Sequence, residues 1–163
     1  MPVSQARPRA DPSQPAGVSA TDAKIRRGEV QAVFRLPPDA VPGFEAAGVV
    51  DAIGPCVSGV RVGDNVASLL AGLGGYGEYA LASSWTPKPS NVPWGDAAAL
   101  PVAAEAAMGI LKQLRVTQGE TLLVLTAAGS VGMIAAQLAA SCGVTAIGFA
   151  RLPIYSNDRG KVC

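Results

Sequence analysis

Apolar residues in the second half of the chain follow three successive patterns. Thr121 to Leu125 is a continuous apolar run, which predicts a strand buried on both faces of a parallel sheet. From Ser130 to Ser141 the apolar residues return at helical spacing, and Gly143 stands where a left-handed residue ends a helix. Val144 to Ala150 is a second apolar run. The order of strand, helix and strand predicts the opening unit of an α/β fold with a parallel sheet.

The first half of the chain has a different pattern, with short apolar steps separated by glycine and proline. Residues 46–53 and 74–82 predict strands, and the valines between them continue in short β-like steps. Residues 17–28 predict a turn or short helix with Asp22 near its start. Short strands at close intervals predict a compact, barrel-like β unit.

These patterns divide the chain into five stretches. An alanine-rich stretch after Pro93 has helical spacing and is interrupted by Pro101, and it predicts a helical bridge between two units. We expect a disordered tail (1–16), a partial β domain (17–96), a connecting helix (97–120), a partial nucleotide-binding unit (121–150) and a polar tail (151–163). The first tail lacks the apolar core of a secretory signal, so we expect a cytoplasmic protein.

Composition excludes several classes of chemistry. The chain has no histidine, which removes imidazole acid/base catalysis, Ser-His-Asp systems and every His-containing metal site. A net charge of +1 without a basic stripe argues against a nucleic-acid partner. Cys56, Cys142 and Cys163 lie far apart, so they suggest neither a zinc knuckle nor a disulfide framework. We therefore expect no bound metal and unpaired thiols in a reducing compartment.

The chemistry of the second half centres on a glycine turn between the first apolar strand and the helix. The turn reads Ala127-Ala128-Gly129-Ser130-Val131-Gly132, which is the G-x-G-x-x-G spacing with alanine in the first position. In such a turn the middle glycine lets the backbone approach a pyrophosphate, and the last glycine lets the helix pack on its strand. The helix N-terminus offers free N–H groups to the phosphates. Ala127, Gly129, Ser130, Val131 and Gly132 are therefore predicted to bind a dinucleotide; the alternative is a turn built for packing alone.

A basic residue about 20 residues past the turn predicts which dinucleotide binds. Such a site places an acidic residue on the ribose hydroxyls of NAD, or a basic one beside the 2′-phosphate of NADP. This chain has Arg151 there, so we expect NADPH. The alternative is a solvated arginine at the end of a strand.

A membrane helix is a second interpretation of residues 121–150. The stretch carries no charge and is longer than the roughly 20 residues that span a bilayer. Its glycines and polar residues, and a periodicity that changes from strand to helix to strand, argue against this interpretation. We expect no membrane partner.

The sequence from Gly17 to about Arg151 resembles the medium-chain dehydrogenase/reductase superfamily, and within it the zinc-free, NADPH:quinone reductase-like branch. The resemblance rests on five motifs in order: Pro42-Gly43-Phe44-Glu45-Ala46-Ala47-Gly48-Val49-Val50, Val62-Gly63-Asp64-Asn65-Val66, Gly74-Gly75-Tyr76-Gly77-Glu78-Tyr79, Ala97-Ala98-Ala99-Leu100-Pro101 and the glycine turn. It implies a GroES-like β domain followed by the first β-α-β unit of a Rossmann fold, with NADPH held in the cleft between the two domains.

The resemblance also implies an activity: hydride transfer from NADPH to a quinone or α,β-unsaturated carbonyl, without zinc. Zinc-dependent relatives carry a histidine where this chain has Phe44. Asp22 is expected to help position the nicotinamide end, or else to cap a helix. Tyr76 and Tyr79 could donate a proton, or could serve packing alone. No residue is assigned as catalytic.

Several positions depart from the pattern of the branch. Ser19 replaces the usual asparagine, Ala106 stands where a threonine is expected beside the nicotinamide, and the Pro-rich tail replaces the first β-strands. The resemblance further implies a chain truncated at both ends, with an unpaired sheet edge and an uncovered apolar face. The alternative function is therefore a non-catalytic remnant that associates with a partner or with itself, for example as a homodimer.

Overall fold

The fold divides into two compact units, Met1–Val102 and Ala103–Cys163. The structure is a computed structural model, and it describes residues 3–6, 15–33, 36–37 and 39–150.

The first unit is built on an antiparallel five-stranded sheet. Its strands are β1 (Val3–Ala6), β2 (Glu45–Ile53), β3 (Asn65–Leu69), β4 (Tyr79–Ala82) and β5 (Ser84–Pro87). They lie in the order β4-β1-β2-β3-β5. Two short helices accompany them, α1 (Ala20–Arg26) and α2 (Trp94–Ala99). The prediction of a β unit made of short strands is confirmed.

Strand β1 lies within residues 1–16, where the sequence analysis expects a disordered tail; residues 1–2 and 7–14 of that stretch lie outside the described residues. Val3 pairs with Ile53 of β2 on one side and with Ala82 of β4 on the other. Residues 3–6 contain no proline, so each can donate to a sheet ladder, and four residues are enough for a strand. By filling the place between β2 and β4, this strand satisfies backbone groups that would otherwise form two edges. Residues 3–6 of the expected tail are therefore part of the sheet.

Two other boundaries differ from the sequence-based expectations. Of the expected strand over 74–82, only Tyr79–Ala82 is extended, because Gly74 has a φ of +100° and the Gly77 N–H bonds back to its carbonyl at 2.9 Å. The expected connecting helix over 97–120 is two helices, α2 and α3 (Pro101–Leu114). Pro101 begins α3, since proline lacks the N–H that a first helical residue leaves unused.

Small side chains let α2 lie close to the sheet of the first unit. Ala97 and Ala98 of α2 pack in one buried cluster with Ala47 of β2 and Ala67 of β3. A second cluster pairs Val50 of β2 with Val66 of β3. These contacts pack β2 against α2 and β3. The first residue of β2 is Glu45, a buried carboxylate.

The second unit contains the predicted strand, helix and strand. Strand β6 (Thr121–Leu125), helix α4 (Ser130–Ser141) and strand β7 (Thr145–Phe149) follow α3 in the chain. The two strands are parallel, with Thr121 opposite Thr145 and Leu125 opposite Phe149. Gly143 has a φ of +75° just past α4, as its predicted role as a helix stop requires. The predicted α/β fold class is confirmed.

One face of the β6–β7 pair is uncovered. Val124 is buried on the side that α4 covers, but on the opposite side Leu123, Leu125, Ile147 and Phe149 are each more than half exposed. We call these four residues the β6–β7 face. The expectation that β6 is buried on both faces is therefore wrong for this chain, because no other described element packs on that side. Within the described part of the chain, no helix is long and apolar enough to cross a bilayer.

Candidate nucleotide-binding turn and buried carboxylate cluster

The predicted glycine turn connects β6 to α4 and is fixed by short backbone bonds. Thr126 has a φ of +60°, which turns the chain sharply out of β6. Its carbonyl accepts from the Gly129 N–H at 2.9 Å, and the Ala127 N–H donates to the Phe149 carbonyl at 3.0 Å. The turn therefore sits at the carboxyl ends of both parallel strands, which is where ligands bind in open α/β sheets.

Gly129 is the N-cap of α4 and leaves the helix start open. No side chain caps this end, and the first turn of α4 carries no acidic residue. The first described intrahelical bond runs from the Met133 N–H to the Gly129 carbonyl. The N–H groups of Ser130, Val131 and Gly132 therefore lack intrahelical acceptors, and they combine with the helix dipole to favour an anion.

Gly132 has the packing role that the spacing predicts. A Cβ at this position would lie 2.5 Å from the Thr126 carbonyl oxygen and 2.9 Å from the Ala127 Cα. Only glycine lets the first turn of α4 lie this close to the turn. Ala127 itself lies against Gly148 of β7, where an added Cβ would come within 2.8 Å of the Ala127 Cβ. The donor groups of a phosphate cradle are therefore present in these residues, while their binding of a dinucleotide stays a prediction.

Two of the predicted cofactor residues are not part of this turn. Arg151 lies outside the described residues, directly after Ala150, so its predicted contact with a 2′-phosphate stays a prediction. Asp22 lies in the first unit, on α1, whereas the turn belongs to the second unit.

The structure gives Asp22 a capping role. Ser19 and Asp22 form a capping box: the Asp22 Oδ2 atom accepts from the Ser19 N–H at 2.8 Å and from the Ser19 Oγ at 2.6 Å. The Ser19 replacement is thus accommodated, because serine is itself a good N-cap. Asp22 is only 5% exposed, however, and its Oδ1 atom has no hydrogen-bond partner among the described residues. An unsatisfied buried carboxylate oxygen is costly, so this atom is a candidate ligand contact.

Glu45, at the start of β2, is a second buried carboxylate that the sequence analysis did not select. It is 5% exposed, and its Oε2 atom accepts from the Val102 N–H at 2.8 Å. Burial raises the pKa of Glu45, the Val102 hydrogen bond opposes this, and the negative charge of Asp22 raises it further. A glutamate inside an otherwise apolar strand was the sequence feature that could have revealed it.

Tyr76 completes the cluster of Asp22, Glu45 and Tyr76, which we call the carboxylate cluster. Its N–H bonds to the Pro42 carbonyl at 3.0 Å, and the neighbouring Gly75 N–H bonds to the Gly43 carbonyl at 3.1 Å. These bonds hold residues 74–76 beside the start of β2. The pKa of Tyr76 is raised by burial, by the charge of Asp22 and a hydrogen bond with its carboxylate, and by the charge of Glu45. Tyr79, the other tyrosine considered as a proton donor, is 58% exposed on β4.

Known proteins resemble the chain over most of its length. Residues 13–90 match the alcohol dehydrogenase GroES-like domain family. A protein named quinone oxidoreductase from Lama guanicoe is 36% identical over 140 residues, which cover 84% of this chain and 42% of the relative. An Arabidopsis thaliana protein named NADPH-dependent alkenal/one oxidoreductase, chloroplastic, is 34% identical over 134 residues, covering 76% of this chain and 34% of the relative. The chain belongs to the medium-chain dehydrogenase/reductase superfamily.

A solved structure of this superfamily supports the same assignment. Escherichia coli quinone oxidoreductase complexed with NADPH matches with a TM-score of 0.69 and 26% identity, over 91% of this chain and 44% of that chain. The predicted superfamily and its quinone reductase-like relatives are confirmed. The chain spans 42% of the length of the Lama guanicoe relative, so the activity of a whole superfamily enzyme does not transfer to it directly.

Proposed function

We propose that this chain belongs to an NADPH-dependent, zinc-independent oxidoreductase that transfers a hydride to a quinone or an α,β-unsaturated carbonyl, and that it binds the pyrophosphate of NADPH at its glycine turn. The observation that carries the proposal is the open start of α4. Gly129 offers no capping side chain there, and three backbone N–H groups have no acceptor within the helix. A relative of the same superfamily has been solved with NADPH.

Each residue of the proposed site has a separate task. The N–H groups of Ser130, Val131 and Gly132 donate to the pyrophosphate, and the dipole of α4 adds to this attraction. Ala127 and Gly129 leave room for the phosphates to approach the backbone. Arg151 pairs with the 2′-phosphate and so selects NADPH over NADH. When bound, the cofactor supplies the hydride, and the protein supplies position and a dry environment.

The absence of histidine supports a mechanism without zinc. The chain has none, and Phe44 stands where zinc-dependent relatives carry the ligand. Among the described residues, no group of three or more Asp, Glu or Cys side chains could hold a metal ion. Hydride transfer to a conjugated carbonyl requires alignment more than a strong side-chain base, so it does not depend on the missing histidine.

NADPH binding to the purified chain tests this proposal. We expect titration calorimetry to show saturable binding of NADPH with weaker binding of NADH, and an Arg151→Ala variant to lose most of that preference. Arg61→Ala is the matched control, because it removes the same charge from an exposed loop of the first unit. If the folded chain binds neither dinucleotide, the proposal is wrong. If it binds NADPH, oxidation of NADPH by a quinone or an enone is the next assay.

A second candidate function is association through the β6–β7 face. The observation that favours it is the exposure of Leu123 at 61%, Leu125 at 64%, Ile147 at 53% and Phe149 at 65%. Contiguous exposed apolar residues of this kind mark interaction surfaces. Sedimentation of the chain, alone and as Leu123→Lys, tests the candidate. Self-association that the lysine abolishes favours it, whereas a monomeric chain that binds NADPH rejects self-association.

A further inference from the structure

Ala127 and Gly148 form a matched pair between the glycine turn and the end of β7. Ala127 occupies the first position of the turn, where the G-x-G-x-x-G spacing has glycine, so its methyl group needs room that the pattern does not reserve. Gly148 provides this room, because a Cβ on Gly148 would lie 2.8 Å from the Ala127 Cβ. The space between the two residues therefore holds one methyl group and not two.

A hydrogen bond joins the same two segments. The Ala127 N–H donates to the Phe149 carbonyl at 3.0 Å, past the last residue of β6 that pairs with β7, Leu125. Gly148 lies opposite Val124, which is buried on the side that α4 covers, so the methyl contact is on that side of β7. One steric contact and one hydrogen bond thus fix the distance between the start of the turn and the last two residues of β7.

The turn is the firmly held side of this contact. A Cβ on Gly132 would lie 2.5 Å from the Thr126 carbonyl oxygen, so α4 already packs tightly against the turn. Strand β7, in contrast, pairs with β6 alone within the described part of the chain. A second methyl group, on residue 148, would therefore displace the end of β7 rather than the turn.

The distance between these segments matters for NADPH because its pyrophosphate and its 2′-phosphate are attached to one adenosine ribose. Covalent bonds limit how far apart the two phosphates can lie, so a protein that binds both must hold its two sites at a matching distance. The turn presents the N–H groups of α4, and the chain leaves β7 at Ala150, directly before Arg151. An arginine pairs with a phosphate in a defined plane, which makes the pairing sensitive to displacement.

We propose that Gly148 is a positioning residue for dinucleotide selectivity: by leaving room for the Ala127 methyl group, it holds the end of β7 at the distance from the turn at which the 2′-phosphate of NADPH is recognised. This inference rests on the proposed function, because it requires the pyrophosphate to bind at the turn. In this role Gly148 does not touch the cofactor and acts through the end of β7. An alanine in the first position of the turn is thus compatible with NADPH selectivity because the neighbouring strand has a glycine.

Titration calorimetry of NADPH and NADH with the full chain tests this role in Gly148→Ala, in Ala127→Gly and in the double variant. Gly148→Ala should lower the preference for NADPH over NADH about tenfold and change the NADH affinity less than about threefold, because NADH has no 2′-phosphate. The double variant again has one methyl group between the segments, now on β7, and should restore the preference to within about threefold of the natural chain. Exchange of the Ala127 amide proton, which reports its bond to Phe149, should accelerate in Gly148→Ala and slow again in the double variant.

Thr145→Val is the control, because it changes the exposed first residue of β7 and should leave both affinities unchanged. If Gly148→Ala does not fold, the comparison of Ala127→Gly with the double variant decides: the first should lower the preference for NADPH, and the second should restore it.

The outcomes separate this inference from the proposed function. A preference for NADPH that survives in Gly148→Ala, although the Ala127 proton exchanges faster, would overturn the positioning role alone. An equal loss of affinity for both dinucleotides would also overturn it, since Gly148 would then serve packing only. A natural chain that binds neither dinucleotide would overturn the proposed function and this inference with it.

Discussion

The Glu45 Oε2 atom accepts a hydrogen bond of 2.8 Å from the backbone N–H of Val102, 57 residues further along the chain. Val102 lies in the first turn of α3, where backbone N–H groups have no acceptor within the helix. The Glu45 carboxylate, at the start of β2, thus caps the first turn of α3, a helix that follows all five strands of the sheet in the chain. Within the first unit, Glu45 thus bonds to Val102 and at the same time belongs to the carboxylate cluster.

The raised pKa of Glu45 predicts how stability depends on pH. The folded chain holds a proton on Glu45 above its ordinary pKa of 4.5, so the stability that this proton contributes is fully present below pH 4.5 and is lost as the pH rises through the folded pKa. Glu45→Gln stays neutral and can still accept from Val102. We expect the variant to gain stability over the natural chain progressively as the pH rises above 4.5.

Urea unfolding of both chains between pH 4 and pH 8 measures this difference. Glu78→Gln serves as the control, because Glu78 is exposed in the turn before β4. The charges around Glu45 are those of Asp22 from α1 and, at high pH, of Tyr76 from the turn at 74–77. A stability difference that does not change with pH would contradict the raised pKa of Glu45 as the cause of that difference.

Ser19→Ala should destabilise the first unit. The change removes the hydroxyl that caps α1 and donates to Asp22, and loss of such a cap costs about 1 kcal/mol. Ser19→Asn, which restores the residue usual in the branch, should retain most of the stability because asparagine caps helices equally well. The midpoints of urea unfolding compare the stability of the natural chain with that of the alanine and asparagine variants. Equal midpoints for the alanine and the asparagine variants would show that the cap contributes little.

Gly132→Ala should destabilise the second unit. The added Cβ would stand 2.5 Å from the Thr126 carbonyl oxygen, and such overpacking costs about 1–3 kcal/mol. Gly109→Ala is the matched control, because Gly109 lies within α3 and a Cβ there meets nothing within 4 Å. That variant should gain about 0.5–1 kcal/mol from the better helix propensity of alanine. Amide hydrogen exchange in α4 measures whether Gly132→Ala destabilises the second unit and Gly109→Ala does not.

Gly129→Asp should separate stability from cofactor binding. Gly129 has a φ of −80° and a ψ of 160°, a conformation open to any residue, but a Cβ there would lie 3.3 Å from the Thr126 carbonyl oxygen. This tight contact opposes the few tenths of a kcal/mol, roughly, by which aspartate is a better N-cap than glycine. The new carboxylate would occupy the anion site, so we expect the stability of α4 to change little while NADPH binding weakens about tenfold or more. Gly129→Asn provides the same shape without the charge. Undiminished NADPH affinity in the aspartate variant would place the phosphates elsewhere.

The glycine turn and the helix after it were predictable because the residues that determine them are neighbours in the sequence. Helical spacing from Ser130 to Ser141 gives the observed bounds of α4, and Gly143 ends the helix at a positive φ. The strand over Thr121–Leu125 was predicted with its correct bounds. Its apolar run predicted burial on both faces, whereas the family resemblance implied the uncovered apolar face that is observed. Burial on a second face depends on which other element packs there, and a run of apolar residues does not contain that information.

The prediction from composition was wrong where the pairing of strands determines the structure. Prolines around Val3–Ala6 suggested disorder, whereas the segment forms a strand between β2 and β4 because partners on both sides accept and donate its backbone hydrogen bonds. The length of β4 was overestimated because the turn of Gly74 and Gly77 is set by contacts with residues 41–43.

By itself, the sequence determined the order of the strands and helices of the second unit, the glycine turn and the lack of any histidine, because each of these is fixed by neighbouring residues or by composition. Only the tertiary structure decided that Asp22, Glu45 and Tyr76 form one cluster. These residues lie on three segments far apart in the chain, and the backbone bonds of the first unit bring them together. The raised pKa values of Glu45 and Tyr76 come from burial and from nearby negative charge, which exist only once the sheet has formed.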